Sequence, residues 1–401
     1  MKILILNAGS SSLKYQLIDM DGEKLLAKGL VERIGIEGSH INQKANGQVF
    51  DATAPMANHT EGIQWMLKAL LDPEKGALKS MDEIGAVGHR VLHGGERFTA
   101  SVLVNDEVKE AIKANIPLGP LHNPANLMGI EACEKVMPGT PNVAVFDTAF
   151  HQTMPPKAYL YGVPMEYYEK LHVRRYGFHG TSHRYVSKRV CEFLGVDRSK
   201  TRVITCHLGN GSSMCAVENG KCIDTSMGIT PLEGVIMGTR SGSMDPAVVQ
   251  YICNNEHISV DEMLTICNKK SGLLGISGLS SDMRDIDKAA DEGNERANIA
   301  RDMLVYGIRK YIGSYAAAMN GVDVIVFTAG IGENNCALRE RVMQGFEYLG
   351  VKLDPAKNAG CREEAVISTD DSKVKICVIP TDEEIVIARD TLCIVTGKPI
   401  E

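Results

Sequence analysis

The sequence lacks the features of a membrane, nucleic-acid-binding or secreted protein. Asp and Glu number 50 against 43 Lys and Arg, so the net charge is −7 and no basic excess attracts nucleic acid. No apolar run approaches the roughly 20 residues that a membrane helix needs, and the apolar run after Lys2 is too short for a signal peptide. The 11 cysteines include no C-x-x-C pair, so we predict reduced, buried thiols in a cytoplasmic protein, without disulfides or a zinc site.

The common catalytic signatures are absent as well. The chain contains neither a G-x-x-x-x-G-K-[ST] phosphate loop nor the G-x-G-x-x-G dinucleotide pattern. H-E-x-x-H and G-x-S-x-G are also missing. Any phosphate site must therefore use another kind of loop.

A strand–turn–strand pattern at the N-terminus offers such a loop. Lys2–Asp19 reads KILILNAGSSSLKYQLID, in which an apolar run enters a turn of glycine and serines and a second strand follows. Backbone N–H groups in a turn of this kind can bind an anion, and Lys14 adds a positive charge. An ordinary serine-rich hairpin explains the stretch equally well when it is taken alone.

The pattern recurs in the second half of the chain. VITCHLGNGSSMCAV at 203–217 repeats strand, Asn-Gly-Ser-Ser turn and strand, and DVIVFTAGIGEN at 323–334 runs from a strand into a glycine-rich turn. Strand-like and helical segments alternate elsewhere, which is typical of α/β proteins. We predict a duplicated α/β fold with a boundary near residue 150 and a nucleotide held by several loops.

Single polar residues in small-residue loops are candidates for chemistry, and most of them have an ordinary structural alternative. Arg90 could bind a carboxylate or phosphate, or form a structural ion pair. His122 is a loop histidine that could be merely solvated. Asp147 follows an apolar strand, where carboxylates often face a crevice, but it could also start a turn. His179 could face a ligand or serve in packing, and Arg240 could reach a transferring phosphoryl group.

Charged residues near two helix starts are less specific. Asp282 and Arg284 lie close enough in sequence for an ordinary surface salt bridge. Glu383 could bind a metal ion or simply favour a helix N-terminus.

Taken together, the motifs closely resemble those of the acetate kinase family, within the sugar kinase, Hsp70 and actin superfamily. They cover nearly the whole chain and read, in order, NAGSSSLK, GHRVLHGGE, FDTAFHQTMP, YGFHGTSH, HLGNGSS, GTRSGSMDP, AGIGEN and PTDEE. The resemblance implies two duplicated actin-like (ribonuclease H-like) α/β domains flanking a nucleotide-binding cleft. The expected domains are residues 1–150 plus 385–401, and residues 151–384. It further implies reversible, Mg²⁺-dependent phosphoryl transfer from ATP to acetate by a cytoplasmic homodimer.

The resemblance also implies a role for each matching residue. Asp147, His179 and Arg240 would be catalytic, and Asn7 and Glu383 would bind Mg²⁺. The substrate pocket would comprise Arg90, Leu92, Leu121, His122, Phe178 and Pro231. The ATP-binding residues would be Lys14, His207, Leu208, Gly209, Asn210, Gly211, Asp282, Met283, Arg284, Gly330, Ile331, Gly332, Glu333 and Asn334. Leu92 departs from the valine that is more frequent in the family.

The expected reaction needs no general base, because a carboxylic acid that titrates near about 4 is already ionised at pH 7. We therefore expect Asp147 to position the metal or an arginine. A propionate or butyrate kinase of the same fold is the nearest alternative. A sugar kinase would need a base for a hydroxyl proton, and a nucleotide-driven binding protein of the Hsp70 type would need a peptide-binding domain for which no residues remain.

Overall fold

The computed structural model describes residues 1–120 and 122–400. The chain forms two compact units, Met1–Ala149 with Asp382–Glu401, and Phe150–Thr381. Each unit has its own sheet and its own hydrophobic core.

The first unit contains an eight-stranded sheet in the order β5-β4-β3-β2-β1-β6-β8-β7. Its strands are β1 (Lys2–Ala8), β2 (Ser12–Asp19), β3 (Lys24–Glu32), β4 (His40–Ala45), β5 (Gln48–Thr53), β6 (Ile84–Val91), β7 (Val102–Leu103) and β8 (Asn142–Phe146). Strands β1, β6 and β8 run parallel, and the remaining neighbours pair antiparallel.

The parallel strands are apolar because helices cover them. Every residue of β8 is buried, as expected for a strand in the middle of a helix-covered sheet. The helices of this unit are α1 (His59–Leu70), α2 (Asp106–Ala114), α3 (Asn123–Val136) and α15 (Glu383–Val395), with 3₁₀ turns at Met81–Glu83 and Ile116–Leu118. Both α3 and α15 pack on β1 and β6, so the C-terminal helix completes the unit in which the chain begins.

The second unit repeats this plan with six strands in the order β11-β10-β9-β12-β14-β13. They are β9 (Arg202–Leu208), β10 (Ser212–Glu218), β11 (Lys221–Thr225), β12 (Val324–Thr328), β13 (Ala365–Val366) and β14 (Lys375–Val378). Strands β9, β12 and β14 are parallel, as β1, β6 and β8 are in the first unit. The predicted duplicated α/β fold is therefore confirmed.

Helices supply much of the core of the second unit. They are α4 (Pro156–Tyr159), α5 (Met165–Leu171), α6 (Gly180–Leu194), α7 (Pro246–Glu256), α8 (Val260–Lys269), α9 (Gly272–Ser277), α10 (Met283–Asp291), α11 (Glu295–Ala318), α12 (Ala329–Asn334), α13 (Cys336–Met343) and α14 (Pro355–Asn358). Further 3₁₀ turns lie at Ala149–Thr153, Arg198–Lys200 and Glu347–Leu349. The long helix α11 buries Leu304, Ile308 and Ile312 in the core.

Three local features differ from what the sequence favours. A glycine after a helical stretch favours a helix end, but Gly272 starts α9 with φ +61°. The helical spacing of apolar residues favours a buried Met303, but this residue of α11 is 42% exposed. The expected glycine-rich turn AGIGEN is a helix, which begins where the Glu333 carboxylate accepts the N–H of Ala329 at 2.7 Å.

Within residues 1–120 and 122–400, no helix is long and apolar enough to cross a membrane.

Candidate active site

The first phosphate-type turn is a tight hairpin. Asn7 and Lys14 pair across β1 and β2, and the N–H of Gly9 donates to the carbonyl of Ser12 at 2.8 Å. Lys14 is exposed and Asn7 is half-buried. The pairing places a carboxamide and an ammonium side by side at the end of β1.

Arg90 and Asp147 form a forked ion pair at the same end of the sheet. Arg90 is on β6 and Asp147 directly follows β8, and these strands are parallel neighbours. The guanidinium donates to Asp147 through Nε at 3.2 Å and Nη2 at 2.5 Å. Asp147 is fully buried, whereas 22% of the Arg90 side chain remains exposed. Asp147 thus orients Arg90, whose Nη1 makes no hydrogen bond to the described residues.

The electrostatic surroundings of this pair come from His122 and α15. Burial raises the pKa of Asp147 above its ordinary value, Arg90 opposes that rise, and Glu383 adds to it. Burial works against the charge of Arg90, but Asp147 and Glu383 raise its pKa overall. His122, at the start of α3, also acts on Asp147. Glu383 is in the first turn of α15, so the fold places it within electrostatic range of the pair.

The candidate pocket residues of the first unit follow β6. Leu92 is buried, and its N–H donates to the Asn126 side chain at 3.0 Å. The amide of Asn126 in turn donates to the carbonyl of Ala8 at 2.9 Å. Asn126 therefore ties the loop after β6 to the end of β1. Leu121 lies outside the described residues.

In the second unit, the turn between β9 and β10 lies against Arg240 and His179. A Cβ atom on Gly211 would lie 3.4 Å from Nη1 of Arg240 and 3.6 Å from the ring of His179. A side chain at Gly238 would overlap Asn210, whose carbonyl also accepts the N–H of Gly238 at 3.1 Å. Small residues at these positions are required for the two loops to pack together.

His179 is held by a network of hydroxyls and histidines. It has a left-handed backbone, φ +57°, directly before α6, a conformation that is uncommon for a non-glycine residue. Its Nδ1 lies 2.8 Å from Oγ of Ser213, which is also 2.7 Å from Nε2 of His183. The ring stacks on His207 with centroids 4.0 Å apart. Burial lowers the pKa of His183 well below its ordinary value, so that ring is neutral at pH 7.

Arg240 has no acidic partner among the described residues. Its Nη1 donates to the carbonyl of Pro231 at 3.2 Å, and no carboxylate of the described residues pairs with it. Burial lowers the pKa of its guanidinium below the ordinary value, but arginine remains charged in proteins. A partly buried, uncompensated cation beside a glycine turn is suited to binding an anion.

The nucleotide segments expected from the motifs meet around the same turn. A Cβ atom built on Gly238 would overlap Asn210 and would also lie 3.0 Å from the carbonyl oxygen of Ser281. A Cβ atom built on Gly209 would lie 3.8 Å from the Cβ of Ala329. The turn of His207–Gly211 is therefore adjacent to the starts of α10 and α12. Strands β9 and β12 end together, since His207 pairs with Thr328.

The members of these segments differ in what they can offer a ligand. Asp282 caps α10 and forms an ion pair at 2.5 Å with Arg284, whose side chain is 90% exposed. Met283 is buried in the core. Space beside Gly330 is open, while Glu333 accepts the backbone N–H groups of Ala329 and Thr381. The remaining members, Leu208, Ile331, Gly332 and Asn334, lie on β9 or α12.

The two apolar candidates of the second unit are near these groups. The carbonyl of Phe178, which precedes His179, lies 2.9 Å from Nε2 of His151, and the Phe178 side chain is buried. Pro231 is half-buried and contacts Arg240 through its carbonyl.

The donor set of the first unit fits magnesium. Asn7 and Glu383 offer amide and carboxylate oxygens, which are the ligand types that Mg²⁺ prefers, and neither is deeply buried. Two protein ligands leave room for water and phosphate oxygens, as is usual for this ion.

Sequence reasoning did not find Ser182, Ser213 or Asn126, which hold the candidate residues in place. Ser182 and Ser213 belong to the quoted motifs YGFHGTSH and HLGNGSS. The Oγ of Ser182 lies 2.7 Å from Nδ1 of His207 and accepts from the Thr381 hydroxyl at 2.8 Å. The available signal was that both serines stand in motifs that also contain histidines, Ser182 beside His183 and Ser213 in the motif of His207.

Comparison with known proteins gives a consistent result. A model of the acetokinase family matches residues 2–389. An acetate kinase of Clostridium botulinum strain Hall is 59% identical over 391 residues, which is 98% of either chain. The crystal structure of Porphyromonas gingivalis acetate kinase matches with a TM-score of 0.95 and 51% identity, covering 98% of this chain and 99% of that one. A propionate kinase from Francisella tularensis matches with a TM-score of 0.91 and 43% identity, with the same coverage.

Proposed function

This chain belongs to the acetokinase family and functions as an acetate kinase, and we propose that it reversibly transfers the γ-phosphoryl group of ATP to acetate in the presence of Mg²⁺. The observation that carries the proposal is Arg240, a partly buried guanidinium without a carboxylate partner among the described residues, placed beside Gly211 and His179. Phosphoryl transfer needs such a cation, because negative charge spreads over the equatorial oxygens of the transferring group.

In the proposed reaction, an ionised oxygen of acetate forms a bond to the γ-phosphorus while the bond to the β,γ-bridging oxygen breaks. The products are acetyl phosphate and ADP. Since acetate is already ionised at neutral pH, no proton has to be removed. Catalysis therefore rests on positioning and on charge stabilisation.

We assign the residues of the first unit to the acceptor. Arg90 binds the carboxylate of acetate through Nη1, and Asp147 fixes the guanidinium through the opposite edge. Leu92, Leu121 and His122 line the acyl pocket. Asn7 and Glu383 would hold Mg²⁺, which would neutralise charge on the β- and γ-phosphates, and Lys14 would bind the phosphates.

We assign the residues of the second unit to the nucleotide and the transition state. Arg240 and His179 stabilise the transferring group, and the apolar side chains of Phe178 and Pro231 suit the methyl group of acetate. The turn His207–Gly211, the segment Asp282–Arg284 and the helix Gly330–Asn334 bind the nucleotide. We further propose a cytoplasmic homodimer whose domains divide near residues 150 and 385.

Trapping of acyl phosphate with hydroxylamine tests the reaction. The purified chain is incubated with ATP, Mg²⁺ and either acetate, propionate, butyrate or glycerol, and hydroxamate is measured. We expect the highest kcat/KM with acetate. Since a phosphate ester of glycerol would not react with hydroxylamine, glycerol is tested by the release of ADP, and we expect none. Propionate is the second candidate acceptor, because a propionate kinase is among the matching structures. A faster reaction with propionate than with acetate would contradict the acceptor assignment.

A further inference from the structure

Three side chains that commonly bind metal ions lie together in the core of the second unit, apart from the residues assigned above. They are His151, Cys215 and Cys222, and all three are fully buried. The Cys222 sulfur lies 3.1 Å from Nδ1 of His151 and 3.4 Å from the Cys215 sulfur, and the Cys215 sulfur lies 4.0 Å from the same nitrogen. One ring nitrogen and two sulfurs thus form a compact triangle.

Regular secondary structure holds this triangle in place. Cys215 is on β10 and Cys222 is on β11, the next strand of the sheet, and a register shift occurs between Ala216 and Val217. The Thr153 hydroxyl donates to the carbonyl of Cys222 at 2.7 Å, which joins the segment containing His151 to β11. The three ligand atoms are therefore positioned by the fold.

The hydrogen bond at the other ring nitrogen orients His151 for metal binding. Its Nε2 lies 2.9 Å from the carbonyl oxygen of Phe178. A carbonyl can only accept, so Nε2 carries the proton, and in the neutral ring Nδ1 directs its lone pair toward the sulfurs. Histidines that bind metals usually donate their second N–H to a carbonyl or carboxylate in this way.

We propose that His151, Cys215 and Cys222 form a binding site for a thiophilic metal ion of the zinc type. Zinc bonds of about 2.3 Å to sulfur and about 2.0 Å to nitrogen at tetrahedral angles imply separations of roughly 3.8 Å between sulfurs and roughly 3.5 Å between nitrogen and sulfur. Each observed separation differs from these by about half an ångström or less. A Cys₂His set leaves a fourth coordination position for another ligand.

This site is chemically distinct from the one proposed for Mg²⁺. Thiolate and imidazole ligands select zinc and similar ions, whereas magnesium requires oxygen ligands. The sequence argued against a zinc site, since the cysteines lack the C-x-x-C spacing and His151 is 64 and 71 residues away from Cys215 and Cys222. Only the pairing of β10 with β11 and the position of the 3₁₀ turn bring the three together.

Metal retention by the full-length chain tests the proposal. The reduced protein is mixed with Zn²⁺, passed over a gel-filtration column and analysed for metal by mass spectrometry. We expect about one zinc ion per chain and a higher Tm, because binding to the native state alone stabilises it. Cys215→Ala and Cys222→Ala should abolish retention. Cys206→Ala, which alters another fully buried thiol, should retain the metal.

A second measurement uses the unaltered sequence and does not depend on the folding of any variant. Bound Zn²⁺ should slow the alkylation of Cys215 and Cys222, measured peptide by peptide, and leave the alkylation of Cys206 unchanged. Unchanged alkylation of Cys215 and Cys222, no zinc retained by the wild type, or wild-type retention by Cys215→Ala and Cys222→Ala would each overturn the proposal. The last result would assign the metal to other cysteines of the chain.

Discussion

Replacing Asp147 with asparagine should weaken the ion pair that fixes the orientation of the Arg90 guanidinium. The carboxylate accepts hydrogen bonds from both Nε and Nη2 of the Arg90 guanidinium and is fully buried. Asparagine keeps nearly the same shape but offers one acceptor oxygen, and its NH₂ group would face a second donor. One of the two hydrogen bonds is therefore lost, and the charge of Arg90 is left without its partner.

The expected magnitude follows from this geometry. Removing one partner of a buried ion pair typically costs about 3–5 kcal/mol. The exposed 22% of Arg90 lets water compensate part of this loss, so we expect the free energy of unfolding to fall by roughly 2–4 kcal/mol. A guanidinium that is free to rotate also binds acetate less well. We expect the KM for acetate to rise about tenfold, which corresponds to about 1.4 kcal/mol.

Trp65 provides the assay for stability. It is the only tryptophan and lies on α1 of the unit that contains Asp147. Its fluorescence during urea unfolding therefore reports on the relevant unit, and steady-state kinetics on the same preparation give KM and kcat. Asp390→Asn is the matched control, because Asp390 is a buried aspartate of the same unit that accepts from the Ser101 hydroxyl at 2.5 Å.

The control should lose stability but keep the wild-type KM for acetate. If Asp147→Asn changed neither stability nor KM, the ion pair would not position Arg90. If it lowered kcat by orders of magnitude at unchanged KM, Asp147 would act on the transferring group itself, and the positioning role would be refuted.

Four further predictions concern single residues. Arg240→Ala should lower kcat by roughly 100- to 1000-fold, whereas Arg90→Ala should mainly raise the KM for acetate; steady-state kinetics distinguish the two. Glu383→Gln should move the Mg²⁺ dependence of the rate to higher concentrations in a titration at fixed ATP. Leu92→Val and Leu92→Ala should progressively raise the kcat/KM ratio of propionate to acetate, since one methylene is worth about 10- to 200-fold. Burial lowers the pKa of His89 to about 4, so its stabilising contribution is present above pH of about 6.5 and is lost as the pH falls toward 4. The free energy of unfolding of the wild type should therefore fall by up to roughly 3 kcal/mol between pH 7 and pH 4, and His89→Gln should lack this fall.

Each of these predictions has a control or an outcome that would contradict it. Arg296→Ala is the control for the two arginine variants, because Arg296 is exposed and donates to backbone carbonyls. This variant should leave kcat and the KM for acetate unchanged. An Arg90 variant with normal KM and reduced kcat would reverse the two arginine assignments. An unaltered Mg²⁺ titration of Glu383→Gln would count against a metal-binding role for Glu383. If the kcat/KM ratio of propionate to acetate stayed the same in folded Leu92 variants, Leu92 would not limit the size of the acyl group. Equal pH profiles of unfolding for the wild type and His89→Gln would contradict the role of His89.

The sequence by itself determined the local structure of the chain. Apolar runs ending in Asn, Gly and Ser predicted the hairpins at Gly9 and Gly209, and both are present with short hydrogen-bonded turns. The repetition of that pattern predicted the duplicated sheets. Ser259 and Glu262 form a capping box at the start of α8, the pattern that is typical of a helix N-terminus. These features depend on hydrogen bonds and side-chain periodicity within a few residues, which neighbouring amino acids specify directly.

The tertiary structure decided which of the candidate residues meet. Arg90 and Asp147 are 57 residues apart, and parallel pairing of β6 with β8 joins them as an ion pair. Glu383 acts on this pair because α15 returns to the first unit. The left-handed backbone of His179 and the His151 cluster likewise depend on packing between distant segments. Parallel strands are joined through long crossovers, so the contacts at their ends are fixed by sheet order and helix packing, which no local pattern of residues encodes.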